Sequence, residues 1–251
     1  MPEIMLSKLM NIEAVGIFSS ASRIISFATV IPIGFCMALL PAMTKGYESG
    51  LETLKKMTMD SLRYAFIFIF PIVAGTALLS GQIINVIYGV KFEAAPPILS
   101  IMAFGMAPYF VLVSLAQVLV STDNQGFDLK VNLIAVLVSF CLHLALVPIF
   151  GVIGSTISTI VCFLVLNQLQ YRFIREKLFS LDFWEVSRRP LLACGVMAVV
   201  TFYLSDQNLL INIAVSAVVY GAAIIALGGL TYEEIEKILN TLRKRAAQDN
   251  P

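Results

Sequence analysis

The stretch "VNLIAVLVSFCLHLALVPIFGVIGSTISTIVCFLVLNQLQY", residues 131–171, contains no charged residue. About 20 apolar residues cross a bilayer as a helix, so this run is long enough for two spans. Its natural break is Pro148-Ile149-Phe150-Gly151, where proline removes a backbone donor and glycine permits a turn. A helix–break–helix reading places both halves in hydrocarbon, and the rest of the chain agrees. Hydrophobic residues make up 59% of the 251 and charged ones 13%, against about 45–50% and about 25% in soluble domains. Further uncharged runs cover 24–43, 64–90, 94–122, 190–205 and 207–232. Runs this long, without strict alternation, are helical and not the weak signal of a barrel.

The expected fold is an all-α polytopic membrane protein with seven transmembrane helices near 15–42, 61–80, 97–121, 129–148, 151–172, 189–205 and 209–229. Loop charge tests that count, because cytoplasmic loops retain lysine and arginine. Of the 17 basic residues, only Lys8 and Lys91 fall on the opposite side; Arg23 lies well within the first span, and the other fourteen lie in the loops after spans one, three and five, at the span ends beside those loops, or in the tail. The alternation places the C-terminus in the cytoplasm and the N-terminus outside. Residues 1–13 contain no cleavable signal peptide. They read as the outer end of a preceding helix and its loop, which suggests the later portion of a longer transporter or a truncated reading frame. A transport bundle over 14–175, a loop and two spans over 176–229, and a tail over 230–251 follow.

The four cysteines fall inside expected spans with no metal-ligand spacing, and read as packing residues; no metal or other cofactor is implied. The net charge of +1 gives no sign of a nucleic-acid partner. Pro32, Pro41, Pro71, Pro108, Pro148 and Pro190 punctuate or end spans, and each frees a carbonyl that a neighbouring helix or water must satisfy. Gly151, Ser155 and Thr159, with Gly154 and Ser158, form small-xxx-small patterns that let helices approach closely. In the tail, Thr231 and Glu234 fit a capping box ahead of an apolar stripe and Arg243-Lys244-Arg245, a pattern suited to the cytoplasmic leaflet and its lipid. The loop 45–63 suggests a similar short surface helix.

Ser19, Ser22, Arg23, Ser26 and Thr29 share about a third of one helix circumference at 100° per residue. An arginine within a membrane faces a cavity or a partner, or snorkels to the interface; membrane serines and threonines also bond their own backbone. Weaker polar faces join Asn132, Ser139 and His143 in the fourth span, and Ser114, Gln117 and Ser121 in the third. His143, the only histidine, suits either a proton carrier or a neutral interhelical hydrogen-bonder. The candidate substrate-binding residues are therefore Arg23, Ser19, Ser26, Thr29, Gln117, Asn132 and His143. No clustered nucleophile and base, H-E-x-x-H motif or paired carboxylates within a span indicate an enzyme.

"VGIFSSASRI" (15–24), "LLPAMTK" (39–45), "IINVIYGVKFEAAPPIL" (83–99) and "LVPIFGVIGSTIST" (146–159) together resemble, in order and spacing, the second half of oligosaccharide flippases. These are the polysaccharide-biosynthesis transporters of the multidrug/oligosaccharidyl-lipid/polysaccharide exporter superfamily. The resemblance covers residues 3–175 and implies one of two pseudo-symmetric six-helix bundles around a central cavity, with two extra C-terminal helices. It implies movement of a polyprenyl-pyrophosphate-linked oligosaccharide between leaflets by alternating access in a bacterial or archaeal cytoplasmic membrane, with H+ or Na+ as a coupling ion. It also implies that the first bundle, or a second copy, completes the cavity. Arg23 matches an arginine of a "YSAAYR"-like segment, and its guanidinium suits pyrophosphate. Phe18 stands where tyrosine is usual, and His143 where asparagine is common. Two other readings are a multidrug or organic-cation exporter of the same superfamily, which favours a cavity carboxylate, and a noncatalytic scaffold in cell-envelope assembly.

Overall fold

A computed structural model describes residues 2–205 and 207–229. Among them the chain forms eight α-helices and one short 3-10 turn: α1 (Pro2–Leu9), α2 (Ile12–Glu48), α3 (Leu51–Leu78), α4 (Ser80–Tyr88), the turn Val90–Phe92, α5 (Ala95–Ser121), α6 (Gln125–Lys177), α7 (Phe183–Tyr203) and α8 (Leu209–Ala226). The expected amphipathic tail lies outside the described residues.

The run 131–171 behaves as its break suggests. Gly151 takes φ 58° and ψ −132° inside α6, a region open mainly to glycine. The two arms fold back on each other: Gln170 Nε2 donates to Asp128 Oδ1 over 2.9 Å, and Cys162 Sγ lies 3.7 Å from the Ala135 carbonyl. Close approach continues at Gly154, where a Cβ would collide with the Leu146 carbonyl oxygen.

α3 and α5 form the buried centre, while α2, α6 and α8 leave most of their surface open. Leu62, Phe66, Ile69 and Val73, at helical spacing on α3, meet Ala103, Met106, Leu115 and Leu119 of α5. α2 and α6 pack on α5, and α7 then α8 extend the row beyond α3. Hydrocarbon already solvates apolar side chains, so close packing and interhelical hydrogen bonds supply the specificity. Thr201 and Ser216 hydroxyls meet at 2.7 Å, and Asn212 donates to the Thr201 and Leu204 carbonyls at 3.1 and 2.8 Å, joining α7 to α8.

One local expectation is corrected. The loop 45–63 holds no separate surface helix: α2 continues to Glu48 and α3 begins at Leu51, with the reversal made at Gly50, φ 120°. The uncharged run 64–90 holds the expected span and a second element after it. α3 ends at Leu78, and α4 turns across its end, fixed by Ser100 Oγ to Ser80 Oγ at 2.7 Å and by Gln82 Nε2 to the Ser205 carbonyl.

Five helices among the described residues, α2, α3, α5, α6 and α8, are long and apolar enough to cross a membrane. Splitting α6 at Gly151 adds a sixth segment. α7 is not among the five: Glu185, Arg188 and Arg189 occupy its first two turns, so its uncharged part is shorter than a full span.

Candidate functional site

A cavity of about 460 Å³ opens between α2, α5 and the second arm of α6, with α1 across one end. α1 is pinned there by Leu6, fully buried against Phe18 and Val147. Asn11 caps α2 by accepting the Ala14 amide at 2.8 Å, which fixes the angle between α1 and α2.

The hydroxyl face of α2 supplies one wall. Ser22, Ser26 and Thr29 line the cavity beside Ile25. Thr29 Oγ1 donates to its own helix at the Ile25 and Ser26 carbonyls (3.0 and 2.9 Å). With its hydrogen committed to the helix, the hydroxyl has only lone pairs left and can serve a ligand only as an acceptor. Opposite, Thr156 and Thr159 of α6 bond the Val152 and Ser155 carbonyls at 3.1 and 3.0 Å and present acceptors likewise. The floor is Met102, Gly105, Met106 and Tyr109 of α5. At Gly105 a Cβ would come within 3.0 Å of Ile160, so the glycine sets how closely α5 and α6 approach. Tyr109 and Phe163 rings lie 5.1 Å apart and make a paired aromatic surface.

Among the described residues, one charged side chain lines the cavity. Glu3 of α1 lies in the lining, and Ser19 Oγ donates to its Oε1 over 3.0 Å. Arg23 is not in the lining; it stands exposed on α2, one residue from Ser22 and three from Ser26. A helical wheel gives angles about one axis and not which neighbours stand on either side, so α2's polar arc divides between cavity and open surface.

Of the expected residues, Ser26 and Thr29 therefore line the cavity and Ser19 holds its acidic end. Gln117 is half-buried on α5 outside it, and Asn132 is exposed, donating to the Asp128 carbonyl at 2.9 Å. His143 is 1% exposed, with Nδ1 2.7 Å from the Ser139 carbonyl and Nε2 without a hydrogen-bond partner. None of these three, nor Arg23, joins the cavity. Glu3, Tyr109 and Thr156 were not among the expected residues, and Thr159 was expected only as a packing residue. The small-residue spacing of "GSTIST" marks the α6 face but does not say which partner it meets.

Two other cavities lie beside α3 and α7, the first near the end of α8 and the second along its length. One, of about 370 Å³, is lined by charged side chains; the other, of about 510 Å³, is almost wholly apolar. The described residues contain no cluster of histidine, cysteine or carboxylate side chains suited to a metal.

Comparison with known proteins gives a consistent result. A family model described as "Lipid II flippase MurJ" matches residues 2–222. A probable flippase, AglR, of Haloferax volcanii is 21% identical, over 94% of this chain and 52% of its own length. A probable low-salt glycan biosynthesis flippase, Agl15, of the same organism is 19% identical over 64% of this chain and 34% of itself. Among solved structures, a lipid II flippase MurJ in an inward closed conformation matches with TM-score 0.66 at 19% identity, over 84% of this chain and 46% of that one. That likeness is one of fold. The chain spans about half the length, or less, of the proteins it matches.

Proposed function

This chain belongs to the lipid II flippase MurJ family, and on that premise we propose that it forms one half of a transporter moving a lipid-linked saccharide between membrane leaflets. The observation that supports this most is the cavity of about 460 Å³, walled by hydroxyls and an aromatic pair on three helices and open where α2 and α6 are exposed. Sugar hydroxyls need donors and acceptors in a desolvated site, and Ser22, Ser26, Thr29, Thr156 and Thr159 offer them. A separate first half or a second copy of this chain closes the open side; parallel pairing of halves is a known transporter geometry. Arg23, exposed at the cavity's edge, then meets the pyrophosphate at the seam, where guanidinium gives bidentate, charge-assisted hydrogen bonds. We place the assembly in the cytoplasmic membrane with the C-terminus inside, coupled to H+ or Na+.

A second reading has its own support. Glu3, the one charged side chain among the described lining residues, favours a cation, as an organic-cation exporter of the same superfamily requires. Cysteine accessibility separates the two. With the four native cysteines replaced, Ser26→Cys should react with a membrane-impermeant maleimide, while Leu133→Cys, 60% exposed on the outer face of α6, should not. Protection of Ser26→Cys by lipid-linked saccharide supports the flippase, and protection by tetraphenylphosphonium alone supports the exporter. A Ser26→Cys as inert as Leu133→Cys contradicts both.

A further inference from the structure

We propose that the charged cleft between α3, α7 and the end of α8 binds the phosphate headgroup of an anionic glycerophospholipid from the cytoplasmic leaflet. Lys55, Lys56 and Arg63 of α3 face Arg188 and Arg189 of α7 across a space of about 370 Å³. These positions lie on helix turns immediately before the apolar runs that begin at Tyr64 and Pro190, so the cleft sits at headgroup depth. All five belong to the lysine- and arginine-rich end of the bundle, the cytoplasmic side by charge bias.

Among the described residues the local charges do not cancel. Glu52, Asp60 and Glu185 share the cleft, three anions against five cations. Lys55, Lys56 and Arg188 make no ion pair to any described residue. Arg189 is oriented by donating through Nη1 to the Gly228 carbonyl, which ties the α8 end to α7 and closes one side. A concave site with excess positive charge recruits a phosphate monoanion or diester.

What favours a lipid over a soluble phosphate is the next layer along the same helices. A separate apolar cavity of about 510 Å³ lies farther along these helices, walled by Ile67 and Phe68 of α3, Met197 of α7 and Tyr220 and Ile224 of α8. Charge at the interface with a hydrocarbon-lined groove beyond it is the pattern of a phospholipid. The cleft lies on the far side of α3 from the hydroxyl cavity, so the assignment does not depend on the transport reading.

The single tryptophan of the chain provides a local reporter. Trp184 is 67% exposed and adjoins Glu185 of the cleft. The whole chain is reconstituted in phosphatidylcholine vesicles containing brominated phosphatidylglycerol or, in parallel, brominated phosphatidylcholine, and quenching of Trp184 is compared. The expected preference for phosphatidylglycerol is about fivefold or more, the effect of one desolvated basic contact at a membrane surface. It should fall toward unity in Lys56→Gln/Arg188→Gln, both exposed positions whose change does not threaten folding. It should survive in Arg175→Gln/Lys177→Gln, which removes the same charge at the same end outside the cleft. Equal quenching by both lipids, or equal loss in the two double variants, overturns the site. Removal of the preference by inorganic pyrophosphate at constant ionic strength assigns the cleft to soluble phosphates and overturns the lipid.

Discussion

The Tyr220 hydroxyl donates to the Ile67 carbonyl over 2.7 Å, across the α8–α3 interface. Ile67 is four residues before Pro71, whose ring nitrogen has no hydrogen to offer that carbonyl. The last described helix thus supplies the donor that the proline withholds, and the carbonyl freed by Pro71 becomes an anchoring point.

Tyr220→Phe should lower the thermal midpoint in detergent, with a loss of about 1 kcal/mol, the scale of interhelical hydrogen bonds in membranes. In a Pro71→Ala background the Ile67 carbonyl regains a helical donor, so the same change should cost less. A double-mutant cycle over these residues measures the coupling; additive effects would contradict the assignment.

Glycines along the chain should divide by what a methyl group meets. Gly16→Ala faces open space within α2 and should be neutral or stabilising, by up to about 1 kcal/mol. Gly151→Ala forces a positive φ and meets Met10 at 3.1 Å, for a cost of about 1–2 kcal/mol or more. Gly154→Ala drives its methyl onto the Leu146 backbone oxygen and should open the α6 hairpin. Thermal unfolding of the three variants checks the order.

Asn212 is fully buried and holds two carbonyls at the end of α7 while accepting from Ser216 Oγ at 3.0 Å. Asn212→Ala should cost about 1–3 kcal/mol, because two carbonyls lose their donors away from water. Hydrogen exchange should rise over 200–212 and stay unchanged in α5. Uniform acceleration everywhere would mean the α7–α8 pair is not a separable unit.

Arg23→Ala should leave the thermal midpoint within about 0.5 kcal/mol of the parent, since Arg23 is exposed and has no partner among the described residues. The flippase reading expects transport of lipid-linked saccharide to fall at least about tenfold, the effect of losing one charge-assisted contact. Ser26→Trp should block transport by filling the cavity. Glu3→Gln should spare saccharide transport and abolish organic-cation export if that second reading holds.

The sequence made the hairpin of α6 legible because proline and glycine act locally: Gly151 needs no partner to declare a turn. The polar arc of α2 was legible for the same reason, as an angular pattern about one axis. What it faces depends on α1, α5 and α6, and so Arg23 fell outside the cavity while Glu3, fifteen or more residues from the arc, entered it. α4 was hidden inside an uncharged run because apolarity marks depth in the membrane and says little of direction. Tyr220 and Ile67 are 153 positions apart; only the proline hinted that some donor was needed.

The most direct test uses a strain deleted for this gene, in which polyprenyl-pyrophosphate-linked oligosaccharide on the cytoplasmic side is quantified. The chain is then restored, with its partner half where one is required, as the parent and as Ser26→Trp. Accumulation on deletion, relieved by the parent and not by the tryptophan variant, is the expected result. An unchanged pool on deletion, or equal relief by both forms, would contradict transport through the α2–α5–α6 cavity.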